Sequence, residues 1–363
     1  MSQKKIGILG GGQLAQMLVL SGHPLGLSIT ALTSSTSDPA AHVLAQPQQG
    51  SPNDTEALKK FVNSCDVVTF ESEFIDIEKI KTTKSIYFFP SLKAIQVIQD
   101  RLTQKQLLDK FKIPTSPWLK VDTASDLESA GKKFKNGLVL KQRRNGYDGY
   151  GTFIFNSIPN PSILNQTSFG FIAEKKIHFK RELAFSMVRS RSGKILDLPL
   201  VESVQVNSRC FSVCGPVKHK KIKAIKSKFS RLMKDLNYVG ILAVELFDTG
   251  NELLVNELAP RVHNSAHYSQ NGLTCSQFEY HLRAGLDLPL PKVELVRPGF
   301  AMVNLLGEGS AKIHLSYSQE GFLHWYSKSE NRENRKLGHI NVIGPTPKNA
   351  LKKALKWRKE FKL

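Results

Sequence analysis

The chain has 363 residues, 40% of them hydrophobic and 23% charged, which is enough to bury more than one core and leads to an expectation of two or three domains. The apolar runs are short and interrupted, so a bilayer-spanning reading is excluded, and four scattered cysteines at 65, 210, 214 and 275 make neither a disulfide framework nor a zinc pattern; a cytoplasmic setting is expected. With 51 basic against 31 acidic residues the net charge is +20, an excess that attracts anions of every kind.

The first hundred residues alternate β-rich and helical runs: KIGILG, QLAQMLVLSGHPLG, LSITALT, DVVTF and SIYFF. Such alternation predicts a parallel sheet with helices on both faces. Lys5 followed by an apolar run resembles a secretory leader, but Gln13 and Gln16 interrupt it, and strand, glycine turn and helix explain it better. Gly10-x-Gly12-x-x-Ala15 lies at the first strand-to-helix turn, where backbone amides could approach a phosphate. ALTSSTSD, at the end of the second strand, lacks the acid that a ribose of NAD requires, which argues against a dinucleotide site.

A helix opens at QDRLTQKQLLDKF (99 to 111) and is stopped by Pro114 and Pro117. GLVLKQRRNGYDGYGTFIF (137 to 155) reads as two strands around a loop with glycines at 146, 149 and 151 and a basic flank of Lys141, Arg143 and Arg144. It is either a phosphate-covering lid or a plain tight hairpin. FIAEKKI (171 to 177), ELAFSMVRS (182 to 190) and KILDLPLVESVQV (194 to 206) read as strands of an antiparallel sheet, with Glu174 and Glu182 near their ends. The basic stretches 218 to 234 and 348 to 363 read as amphipathic helices with solvated lysine faces; neither carries a nucleic-acid motif.

GILAVELFDTGNELLVNELAPRVHNSAHY (240 to 268) places one carboxylate on each of two apolar strands. A three-residue loop, Thr249-Gly250-Asn251, sets Glu257 opposite Ala243 and on the face of Glu245, about 7 Å along the ladder. Acids so placed either line a solvated hairpin face or share a hard cation, and Asn256, Arg261, His263, Asn264 and Ser265 beside them favour a site. SQFEYHLRAGLDLPL (276 to 290) reads as a helix, and FAMVNLLGEG, FLHWYSK and KLGHINVIG as a small β-rich C-terminal unit.

In this order, GGGQLAQML, QDRLTQKQLLDKF, GYDGYG, GILAVELF, LLVNELAPRVHNSAH, SQFEYHLRA, HWYSK and RKLGHIN resemble the ATP-grasp ligases, and among them the 5-(carboxyamino)imidazole ribonucleotide synthases of purine biosynthesis. The resemblance spans essentially the whole chain and implies an α/β ATP-grasp fold: a Rossmann-like pre-ATP-grasp domain over 1–98, an ATP-grasp domain over 99–295 with a lid subdomain at about 115–178, and a C-terminal domain over 296–363. It implies a homodimeric carbon–nitrogen ligase that uses ATP and bicarbonate to carboxylate aminoimidazole ribonucleotide through carboxyphosphate, with Mg²⁺, two ions, or Mn²⁺ in its place.

Carried over by position, the resemblance gives ATP to Arg101, Lys141, the lid Gly146, Tyr147, Asp148, Gly149, Tyr150, Gly151 and Thr152, then Glu174, Lys175, Lys176, Ile177, Glu182, Gln205, Asn256 and Glu257. Glu245 and Glu257 would hold the metal. Arg261, His263, Lys328 and Arg335 would be catalytic. Gln13, Tyr147, Asp148, Arg261, His263, Asn264, Ser265, Lys328, Arg335 and Lys336 would bind substrate. Ala15, Gln16, Asn145, Tyr150, Gln205 and Ala266 depart from the family pattern; Tyr150 replaces a basic residue of the lid. Two other readings stay open: a ligase with a different acceptor, and a degenerate scaffold that binds nucleic acid or an acidic partner through its basic helices.

Overall fold

The computed structural model describes residues 4–80, 82, 85–146, 149–309 and 312–363. Strands β1 (Lys5–Leu9), β2 (Ser28–Thr33), β3 (Gln48–Gln49), β4 (Val67–Phe70) and β5 (Tyr87–Phe88) form a parallel sheet in the order β3-β2-β1-β4-β5. Its strands are nearly continuous apolar runs because both faces are covered. Helix α1 (Gln13–Gly22) packs on it through Leu14, Met17, Leu18 and Val19; α2 (Thr55–Asn63), capped by the Asp54 carboxylate, buries Leu58, Phe61 and Val62.

Helices α3 (Leu92–Gln99) and α4 (Arg101–Lys110) lead into the second part of the chain. There a small antiparallel sheet runs β6-β9-β7-β8, from β6 (Trp118–Val121), β7 (Leu138–Gln142), β8 (Thr152–Phe155) and β9 (Phe171–Lys175), backed by α5 (Ala124–Lys133). The expected glycine hairpin is therefore β7 and β8. Asn145, at φ 62°, takes the left-handed conformation that asparagine tolerates better than most residues.

The remaining strands are β10 (Arg181–Arg189), β11 (Ile195–Asp197), β12 (Val201–Val206), β13 (Arg209–Gly215), β14 (Gly240–Asp248), β15 (Leu253–Ala259), β16 (Gly299–Leu306), β17 (Phe322–Trp325) and β18 (Lys336–Gly344). They make one sheet, ordered β15-β14-β10-β12-β13-β16-β18-β17 with β11 beside β10. The 171–177 segment thus joins a different sheet from 182–206, and the C-terminal strands extend the large sheet through the β13 to β16 pairing.

Helix α6 (Ile222–Asp235) buries Ile225, Phe229, Leu232 and Met233 and turns its lysines outward. After the short α7 (Ser269–Gly272), α8 spans Gln277–Gly285 rather than reaching 290: Asp287 enters the left-handed region, φ 56°, ahead of Pro289 and Pro291. Helix α9 (Pro347–Arg358) covers the C-terminal strands with Ala350, Ala354 and Trp357. Among the described residues no helix is long and apolar enough to cross a membrane.

Candidate active site

Glu245 stands directly across from Glu257, not two residues away along the ladder. The loop from Asp248 to Leu253 holds four residues instead of three, and a bulge follows between Glu245 and Leu246, where the partner strand steps from Glu257 to Val255. Each feature shifts the register by one, which moves Glu257 from Ala243 to Glu245. The extra residue is Asn256, and bulges re-aim side chains in this way.

Asn256 accepts a hydrogen bond from Lys141 Nζ at 2.8 Å, and the same ammonium lies 3.3 Å from Glu174. Glu174, on β9, is buried; Ser116 donates to it at 2.9 Å, and Lys105 lies at 2.9 Å. Burial pushes the Glu174 carboxyl up, but the two lysines outweigh it and hold its pKa at about 2. Lys105 was not anticipated from sequence, yet it sits one turn after Arg101 on the same face of α4. Burial lowers its pKa, opposed by the Glu174 charge.

Arg101 donates to Gln142 O at 2.8 Å, to Gly146 O at 3.1 Å and to Glu257 at 3.0 Å. One guanidinium therefore fastens the glycine hairpin to the paired acids. Nearby Asp100 holds Arg143 through two hydrogen bonds, at 3.0 and 2.6 Å. Glu182, at the start of β10, is half-buried, and that burial raises its pKa to about 7.

The loop after β15 brings His263 within 3.8 Å of Glu245. His263 Nδ1 accepts from the Ser265 amide at 3.3 Å, with Ser265 Oγ at 2.9 Å, so the ring proton sits on Nε2, towards the acids. Burial and the Arg261 charge lower its pKa to about 3, so the ring is neutral. Asn264 is buried and, among the described residues, neither amide atom has a hydrogen-bond partner, a feature of sites that await a polar ligand. Arg261 pairs with Glu73 of the first sheet's loop, one contact being 3.2 Å.

Gln13, Gly149, Tyr150, Lys328, Arg335 and Lys336 line a cavity of about 760 Å³. Lys328 lies over the Tyr326 ring, whose hydroxyl meets His339 at 2.7 Å. Of the other expected site residues, Lys176 donates its ammonium to Asn156 and Gln205 donates to Ser203, so neither side chain joins the Lys141 network; the Lys175 side chain is exposed and Ile177 half-buried. Thr152 and Gly151 sit at the β8 end of the hairpin, where Thr152 pairs with Lys141. Tyr147 and Asp148 lie outside the described residues.

The glycine turn before α1 holds an acid of its own. The Glu71 carboxylate accepts from the amides of Gly12 at 2.6 Å and Leu14 at 3.3 Å, occupying the position a bound phosphate would take. An added Cβ at Gly12 would lie 2.2 Å from that carboxylate, which would have to shift.

Two opposed carboxylates suit a hard cation that also takes phosphate oxygens, although among the described residues no group of three or more His, Cys, Asp or Glu forms a cage. The donor set therefore fits magnesium held jointly with a nucleotide.

Three family models match the chain: a ribonucleotide synthetase preATP-grasp domain at 3–99, an ATP-grasp domain at 106–278 and a phosphoribosylaminoimidazole carboxylase C-terminal domain at 301–353. The N5-carboxyaminoimidazole ribonucleotide synthase of Synechococcus elongatus is 39% identical over 351 residues, 93% of this chain and 89% of the relative. The Staphylococcus aureus N5-carboxyaminoimidazole synthetase, solved with ADP, superposes with a TM-score of 0.86 at 30% identity, covering 98% of this chain and 97% of that one. The Aspergillus clavatus synthase, solved with ADP and 5-aminoimidazole ribonucleotide, gives 0.85 at 28% identity, with 98% and 99% covered. The chain belongs to the N5-carboxyaminoimidazole ribonucleotide synthase family of ATP-grasp ligases.

Proposed function

We propose that this chain joins bicarbonate to the exocyclic amine of 5-aminoimidazole ribonucleotide at the expense of ATP, giving N5-carboxyaminoimidazole ribonucleotide, ADP and phosphate, as a cytoplasmic homodimer. The observation that carries this reading is the continuous network Glu174–Lys141–Asn256 beside Arg101–Glu257–Glu245.

Lys141 and Arg101 neutralise the ATP phosphates beneath the hairpin amides of Gly146 and Gly149 to Thr152, while the 174–182 segment holds adenine and ribose. Phosphoryl transfer needs little covalent help and much positioning of cations, and these residues supply that. Glu245 and Glu257 would hold magnesium or manganese, which would supply neutralisation of phosphate charge when bound.

A bicarbonate oxygen attacks the γ-phosphorus, the bond to the β-phosphate oxygen breaks, and ADP leaves. Neutral His263 donates through Nε2, and the open Asn264 amide offers both a donor and an acceptor, so the two orient bicarbonate. The amine nitrogen then attacks the carboxyl carbon of carboxyphosphate, expelling phosphate and losing a proton. Carboxyphosphate is short-lived in water, so covering the site matters.

The experiment is ADP release measured with bicarbonate and aminoimidazole ribonucleotide added singly and together. Stimulation only by the pair, matched by loss of the amine, supports the reading; equal rates in all mixtures would overturn it.

A further inference from the structure

Among its described lining residues the 760 Å³ cavity carries five cations, Arg209, Lys328, Arg332, Arg335 and Lys336, against one acid, Glu333. Four of these cations come from the 328–336 segment. Among the described lining residues Arg209 is the one cation from outside that segment, at the first position of β13.

Its placement is rigid. Val206 pairs with Arg209 around the two-residue turn Asn207-Ser208, whose φ values of 50° and 60° are those of a tight hairpin that matches strand twist. The glycine hairpin rests on that tip, since a Cβ at Gly149 would lie 2.5 Å from Ser208 Cβ. The described residues this hairpin adds to the lining, Gly149 and Tyr150, are uncharged.

Arg332 and Arg335 already share the Glu330 carboxylate. Among the described residues no carboxylate pairs with Arg209, whose guanidinium makes one hydrogen bond, to Asn207 O at 3.3 Å. That leaves most of its five N–H donors in a planar fork suited to a dianionic phosphate.

We propose that Arg209 is a substrate-positioning residue that grips the phosphate monoester of the acceptor ribonucleotide from the ATP-grasp wall, together with Lys328 and Arg335. This rests on, and deepens, the ribonucleotide-carboxylation reading. The tip makes the clamp sensitive to the hairpin's position, so phosphate capture and site covering share one contact.

The test uses Arg209→Met and Arg209→Lys in the full-length protein, with ribose 5-phosphate and ribose as probes in NMR titrations and with steady-state kinetics. Wild type should prefer ribose 5-phosphate to ribose. Arg209→Met should weaken ribose 5-phosphate about tenfold, raise KM for aminoimidazole ribonucleotide by a similar factor, and leave KM for ATP within about twofold, with lysine intermediate. Unchanged ribose 5-phosphate binding in Arg209→Met, no preference for it in wild type, or a loss confined to ATP would overturn the proposal. If wild type shows no bicarbonate-dependent ADP release while ribose 5-phosphate binding still depends on Arg209, the ligase reading fails and the phosphate subsite stands.

Discussion

Arg101 and Glu257, 156 positions apart, meet at 3.0 Å, and through them the start of α4 touches the edge strand that carries the second acid. Glu257→Gln keeps the shape of that contact and removes the charge. Turnover should fall by about 10²–10³-fold while the melting temperature changes little, since one preorganised charge is lost and no packing is disturbed. Bicarbonate-dependent ADP release and a thermal melt check both; undiminished turnover would show that Glu257 holds no reacting group.

Lys105 matters through Glu174 rather than through the reaction. Lys105→Met leaves a buried carboxylate with one lysine fewer, and urea unfolding should register a loss of about 3 kcal/mol, the low end for a broken buried pair because Lys141 and Ser116 remain. Lys105→Met combined with Glu174→Gln should lose less than the two single changes added together. Strict additivity would refute the coupling.

Glu182, proposed to hold the ribose, should give ATP binding a pH dependence. With its pKa raised to about 7 by burial, the carboxyl is largely protonated at pH 6, and a protonated carboxyl accepts ribose hydroxyls poorly. ATP affinity should weaken by about tenfold between pH 8 and pH 6, and Glu182→Gln should flatten the profile. The same shift opposes folding as pH rises from about 4.5 to about 7, because the native state holds that proton more tightly than the unfolded chain.

His281 acts in the opposite sense. Its Nδ1 accepts the Ile241 amide at 3.1 Å, so Nε2 carries the proton and meets Thr69 Oγ1 at 2.7 Å, and that hydroxyl donates to Phe89 O. Burial lowers the His281 pKa to about 3. Its contribution is therefore complete above about 6.5 and is lost as pH falls towards 3. Urea midpoints should drop over that window, and His281→Phe, after a baseline loss of about 1–3 kcal/mol for the stranded partners, should show a slope shallower by up to about 1.4 kcal/mol per pH unit. An unchanged slope would mean that His281 does not titrate on unfolding.

The strands, the glycine hairpin and the neighbourhood of Lys141, Asn256 and the two acids were legible because period, punctuation and motif order are local properties. The register of Glu257 was not: it depends on one extra loop residue and one bulge, whose effects add and which no period-2 pattern marks. Lys105 was hidden because a lysine on a polar helix reads as solvated until Glu174 arrives from a strand 69 positions later. The glycine turn read as a place for a phosphate, but its tenant is Glu71, 59 residues beyond Gly12. The pairing between β13 and β16 was likewise hidden, because it leaves no trace in either segment's composition.

That pairing has a mechanical consequence. The acids on β14 and β15 and the cation-bearing entry to β18 belong to one hydrogen-bonded sheet, so the proposed nucleotide and acceptor ends are gauged by a common backbone framework. An insertion in β12 or β13, far from either end, would throw the two out of step by a whole residue, as a slipped tooth mistimes a gear train.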